Sequence, residues 1–213
     1  MSDIFREIDE ELRRDNLLKL WRHYGRYIIA AVVVVLAIAG GIVAWRNHQL
    51  TERQGVSVRY AAAMALLREG KDADAAKIFD SVAREGSGYG KLADFEAADL
   101  AAKSGDRKAA IAAYDRIAAS SDVDQELRDI ATLLSVMNSL GDTDSQSEIA
   151  RLKPLTDTGN PWRATALELT AAAQLQASNK SAALDIYKQL ADDLSAPEGV
   201  RTRAAEMASA LKP

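Results

Sequence analysis

Hydrophobic residues run unbroken from Tyr27 to Trp45, and beyond that point they recur at helical spacing. The run YIIAAVVVVLAIAGGIVAW holds nineteen residues and no charge, and Arg26 and Arg46 close it. At about 1.5 Å per residue it extends roughly 28 Å, against a hydrocarbon core of about 30 Å. Trp21, Tyr24 and Tyr27 on one flank and Trp45 on the other are the residue types that favour the lipid–water boundary. The β-branched stretch Val32 to Val35 is poor material for a helix in water, which argues against a buried core helix. Ala37-Ile38-Ala39 mimics a signal-peptide cleavage site. It lies inside the apolar run, however, behind 26 residues that carry six acidic side chains, and that layout does not fit a signal peptide. The pattern therefore predicts a tail over 1–26, a transmembrane helix over 27–45 and a larger domain over 46–213.

Basic residues near the ends of the span orient it. Arg13, Arg14, Lys19, Arg22 and Arg26 precede it, and Arg46, Arg53 and Arg59 follow within the same distance. Five against three places the N-terminus in the cytoplasm and the domain across the membrane. In the tail, Ile4, Phe5, Ile8 and Leu12, followed by Leu17, Leu18 and Leu20, read as a short amphipathic helix. It suits the inner leaflet or a partner, and equally a solubilising tail. Within the span, Ala37 with Gly41 and Gly40 with Ala44 are small residues four apart, which admit close approach of another helix, including that of a second copy.

After the membrane segment, one pattern returns. Gly70 is followed by Ala75 and Phe79, Gly105 by Ala110 and Tyr114, and Ser178 by Ala183 and Tyr187, at the same offsets. A degraded copy starts at Gly141 with Ala150 in the aromatic place, so the register 70, 105, 141, 178 advances by 35, 36 and 37 residues. A period in the mid-thirties is that of helix-turn-helix units, which bury their apolar faces only by stacking. The glycine suits a left-handed C-cap and the Asp or Asn near it an N-cap. The small residue lets paired helices approach, and the aromatic fills the space between units. Lys153-Pro154 and Gly159-Asn160-Pro161 interrupt the third copy. Asn160 as N-cap with Pro161 predicts a fresh helix, and Ser195 with Glu198 predicts a capping box for a closing helix to about Leu211.

Composition agrees with an all-α chain, since hydrophobic residues make up 48% but aromatics only 6%, with many Ala runs. With 27 Lys and Arg against 31 Asp and Glu, the net charge of -4 gives no footprint for nucleic acid. Cysteine is absent, which excludes disulfides and thiolate chemistry. The two histidines, His23 and His48, flank the span on opposite sides and share no site. Acidic pairs such as Asp192-Asp193 lack a calcium-loop pattern, and Gly86-Ser-Gly88-Tyr-Gly90 lacks the strand and the Lys-Ser/Thr of a phosphate loop. The expectation is no enzyme and no cofactor, and binding by shape instead. Arg59, Tyr60, Met64, Phe95, Glu96 and Asp99, from first helices of the pairs, are read as a groove surface, though they suit packing between hairpins equally.

The repeats resemble tetratricopeptide repeats, with the first-helix aromatic and Gly of that pattern replaced largely by Ala. With the apolar span read above, the expected fold class is all-α: an N-terminal single transmembrane helix followed by the tetratricopeptide-like α-solenoid of stacked helix hairpins that the resemblance implies. Together with the tail, the span and the opening MSDIFREIDEELRRD, the layout resembles the YfgM-like family, ancillary subunits of the bacterial SecYEG translocon. That resemblance implies an inner-membrane protein whose helical domain lies in the periplasm. Its implied partners are the SecYEG translocon, a periplasmic chaperone and exported polypeptides. An envelope scaffold in cell division or cell-wall assembly is the alternative that the same layout allows.

Overall fold

The computed structural model describes the backbone of residues 2–86 and 88–212, with side chains at 25–27, 29–31, 33–48, 54–86 and 88–212. Among the described residues there are helices and turns and no strand. The chain divides into two compact units, 1–55 and 56–213. Helix α1 (Ser2–Arg68) crosses that division. In the first unit its stretch Gly25–His48 is long and apolar enough to cross a membrane, a test that a signal sequence near the N-terminus also passes. Its apolar side chains at 29–31 and 33–45 face outward, with Val35 63% and Leu36 65% exposed. The side chains of Ile4, Phe5, Ile8, Leu12, Trp21 and Tyr24 lie outside the described residues.

The second unit is built from consecutive antiparallel helices. After α1 come α2 (Asp72–Ala83), α3 (Gly88–Lys103), α4 (Arg107–Ala119), α5 (Gln125–Ser139) and α6 (Ser145–Leu152). A 3-10 turn (Lys153–Thr156) leads to α7 (Arg163–Gln176), α8 (Lys180–Asp192) and α9 (Glu198–Ala210). Each helix packs on its successor, so the core is a series of linked clusters rather than one centre. Ala75, Ala110 and Ala183 are fully buried, while Phe79, Tyr114 and Tyr187 are 0%, 2% and 4% exposed. Phe79 shares a cluster with Val56 and Ala63 of α1 and Ala93 of α3, so its ring spans two hairpins. Tyr114 and Tyr187 do the same in their own clusters.

The turns between paired helices carry the repeat. Gly70, Gly105 and Gly141 have φ of 73°, 87° and 93°, and Ser178, the one non-glycine residue with positive φ among those described, has φ 61°. At Gly70 the N–H of Lys71 donates to Leu66 O at 2.9 Å and that of Gly70 to Leu67 O at 3.0 Å. The same pair of bonds recurs at Gly105 and at Ser178. This is the Schellman arrangement, which satisfies helix-end carbonyls and needs a left-handed residue. Asp106 then caps α4, accepting from Ala109 N–H at 3.0 Å.

The third hairpin departs from the others. Ala150 does not hold the aromatic place; it is exposed, and Leu152 is the fully buried residue instead. The loop from Gly141 to the N-cap Asp144 is two residues longer than its counterparts, which shifts the helix register and puts Glu148 where the other copies have Ala. Glu148 is 1% exposed, and its Oε1 accepts from Ser139 Oγ at 2.9 Å. Side chains from neighbouring hairpins replace the lost turn bonds. Arg107 Nε donates to Asn138 O at 2.8 Å, and the Gly141 N–H donates to Gln176 Oε1 at 3.0 Å.

Two helix starts also differ from the sequence expectation. Asn160 does not cap a helix: its Oδ1 accepts from Trp162 N–H at 2.8 Å in a local turn, and α7 starts at Arg163. Its Nδ2 donates to Asp129 Oδ2 at 3.0 Å, so tertiary contact holds the side chain. Ser195 makes no capping box with Glu198, because its Oγ and N–H both donate to Asp193 Oδ1, at 2.5 and 2.9 Å. Asp193 also accepts from Arg163 at 2.6 Å. Ser195 first, and then Arg163, hold the Asp193 carboxyl down at about 2.

Two outcomes are expected. Ser178→Gly removes left-handed strain of about 1–2 kcal/mol, offset by about 0.5–1 kcal/mol from glycine's freedom in the unfolded chain. Stability in urea therefore rises by up to about 1.5 kcal/mol, and Gly105→Ala, where the same two effects act in reverse, lowers it by up to about 1.5 kcal/mol. In the second, burial, followed by Asp99 and Glu96, pushes the Tyr114 phenol from 10.0 up to about 12. The folded state thus holds this proton more tightly than the unfolded chain. The stabilising contribution is complete below pH 10.0 and is lost as pH rises through about 12. Phenolate absorbance of wild type against Tyr114→Phe should show one late-titrating tyrosine, and an early ionisation of Tyr114 would contradict its burial.

Candidate functional site

A stacked-hairpin unit offers two long faces, one made by first helices and one by second helices. Register identifies the first-helix face. Tyr60, Phe95 and Glu168 each lie ten residues before a left-handed turn residue, and Met64, Asp99 and Ala172 lie six before. At α1 and α3 the sequence-proposed residues divide between packing and surface. The half-buried Tyr60 ring lies 5.5 Å from Phe79 and 5.3 Å from Tyr89, and its hydroxyl is 3.5 Å from Glu96 Oε1. Burial, with Glu96 next, raises the pKa of Tyr60. Phe95 is half-buried with its ring 6.2 Å from Tyr114, and Met64 packs on the first core cluster. Arg59 is exposed and pairs with Glu85 at 2.6 Å, while Asp99 pairs with Lys103 at 2.6 Å. The structure thus joins Tyr60 to Glu96 and sends Arg59, Phe95 and Asp99 to separate partners.

A largely apolar recess of this face lies further along the chain. A cleft of about 600 Å³ lies between α5, α7 and α9, with Met137, Leu169, Ala172 and Met207 on its walls. Met137 is 50% exposed, unusual for a large apolar side chain in the middle of a helix. Thioether side chains re-pack readily and suit partners of varied shape. At the rim, Arg203 donates to both oxygens of Glu168 at 2.7 and 2.8 Å, a paired geometry that ties α9 to α7. None of these residues was singled out from the sequence. The available signal was the register itself, because Glu168 and Ala172 occupy the same offsets from Ser178 as Tyr60 and Met64 do from Gly70.

In the first unit, Ala37, Gly40, Gly41 and Ala44 are exposed, and a Cβ added at Gly40 or Gly41 would meet no atom within 4 Å. Arg26 stacks 4.8 Å over the Tyr27 ring at the start of the apolar stretch. Among the described residues, no group of three or more His, Cys, Asp or Glu has the geometry to hold a metal ion.

Comparison with curated proteins and with solved structures finds no match. A family model described as a tetratricopeptide repeat-like domain matches residues 19–189. Domains of this kind mediate protein–protein interactions and are generally scaffolds rather than enzymes. The match covers most of the chain, including all four turns of the repeat, and the chain belongs to the tetratricopeptide repeat-like domain family.

Proposed function

We propose that the protein is a membrane-anchored interaction scaffold, an ancillary subunit of the SecYEG translocon that assists export or periplasmic chaperoning. On this reading the stretch Gly25–His48 spans the inner membrane with the N-terminus in the cytoplasm and the repeat unit in the periplasm. The observation that carries the proposal is the cleft of the first-helix face, where Met137, Leu169 and Met207 offer an adaptable apolar surface to another polypeptide. Tethering supports it in general terms. A span that keeps the repeat unit at the bilayer raises its effective concentration towards chains emerging there, with no new contact required. The basic residues on the N-terminal side of the span supply the orientation.

The experiment is site-specific photocrosslinking in intact cells from Ala172, on the wall of the cleft. Adducts with exported polypeptides, a periplasmic chaperone or translocon subunits are expected, and Met137→Asp with Met207→Asp should reduce them severalfold, since each buries a charge on docking. Adducts confined to cell-wall synthases or division proteins would replace this reading with that of an envelope scaffold. Accessibility of a repeat-unit residue to a membrane-impermeant reagent only after cell lysis would reverse the orientation.

A further inference from the structure

The second-helix face carries a recess of its own. Helices α2 and α4 stand on either side of α3 and leave a trough of about 620 Å³ between them. Its walls and floor are formed largely by alanine: Ala73 and Ala76 from α2, Ala97 and Ala101 from α3, Ala109 and Ala112 from α4. Ala73, Ala109 and Ala112 are exposed. At Asp94 and Arg116 the trough meets a second cavity of about 290 Å³, which continues along α3 to Lys91 and ends at Val123. From Ala101 to Lys91 the floor helix rises about 15 Å, the length of nearly three helical turns. Phe95 and Asp99 sit on a different face of α3, so this surface is separate from the first-helix cleft.

The shape selects the occupant. Walls that stop at Cβ let another helix approach closely, as small-residue faces do wherever helices pack. An extended strand fits poorly, because the apolar walls offer its backbone N–H and C=O groups few partners, whereas a helix satisfies them internally. The charge selects it further. Around the larger recess stand Asp72, Asp80 and Asp94, with Arg116 the cation among its lining residues. Asp94 is half-buried, and its pKa is raised first by that burial and also by Asp80, with Arg116 acting in the opposite sense. A cation brought in by a partner would relieve that like-charge pair. A second copy docking through the same face would set acid against acid, and anionic headgroups would meet the same repulsion.

We infer that the trough between α2 and α4 is a second docking surface, which receives a short amphipathic helix of another protein with a small or aliphatic edge flanked by Lys or Arg. The cleft and the trough share no lining residue and then serve different partners, and the inference stands independently of the translocon reading.

The test uses the full chain in detergent micelles and two labelled synthetic helices, one with a Leu/Ala stripe flanked by Lys, the other with Glu at every Lys. Anisotropy should show the Lys helix binding and the Glu helix binding about tenfold more weakly or worse, with affinity falling as salt is raised. Ala112→Lys fills the trough from an exposed helical position where Lys keeps helix propensity, and Asp80→Lys reverses a rim charge near a helix C-terminus, where a cation is favoured. Each should weaken the Lys helix about tenfold with circular dichroism unchanged, whereas Met207→Asp should leave it alone. No binding, equal binding of the two helices, or sensitivity to Met207→Asp but not to Ala112→Lys overturns the inference. So does a self-associated wild type that Ala112→Lys converts to monomer, since the occupant would then be a second copy.

Discussion

The second unit depends on one recurring contact: a large ring set four residues after a buried alanine on the second helix of a hairpin. Ala75 with Phe79, Ala110 with Tyr114 and Ala183 with Tyr187 are all buried, and each ring reaches beyond its own hairpin. The alanine sets how closely two helices approach, and the ring fills the gap that the approach leaves. Neither helix of a pair buries its apolar stripe alone, so cohesion passes from hairpin to hairpin. Both recesses are consequences of this arrangement, since helices stacked in one direction leave valleys on either face.

The third hairpin shows what happens when that contact is absent. With Leu152 and Glu148 in place of ring and alanine, Leu152 still packs with Leu133, Val136 and Leu155 in a hydrophobic cluster, and polar bonds from neighbouring hairpins add to it. Asp115 of α4 receives both Ser135 of α5 and Arg151 of α6, each at 2.5 Å. Arg107 and Gln176 supply the helix-end bonds that a Schellman turn makes elsewhere. Directional bonds between hairpins thus supplement a hydrophobic cluster that lacks the ring. This places the most polar stretch of the core between the alanine-lined trough and the methionine-lined cleft.

The two faces differ in chemistry for a reason that lies in their side chains. The first-helix cleft is walled by long thioethers and a leucine, which adapt to what they touch. The second-helix trough is walled by alanine, which adapts to nothing but admits a backbone closely, and carboxylates rim it.

The sequence by itself determined the helical class, the apolar stretch near the N-terminus and the hairpin period. Each depends on local chemistry, namely an uninterrupted run of apolar residues or a glycine at fixed distance from an alanine and an aromatic. Ser178 was legible too, because its neighbours preserved the offsets even though serine is a poor left-handed residue. Tertiary structure decided the rest. A two-residue lengthening of the loop after Gly141 moved Glu148 and Leu152 into the core; Asp144 marks that register by capping α6 at Ser147 N–H, but Asp142 offers the same residue type two positions earlier, in the register that ends at Ala150. Asn160 is tied through its Nδ2 to Asp129, thirty-one residues away, a contact that pattern does not encode, whereas Ser195 turns back locally onto Asp193, two residues before it. The cleft at Met137 and Met207 likewise exists only because α5, α7 and α9 meet, and exposure at such a meeting is a property of packing, not of any single segment.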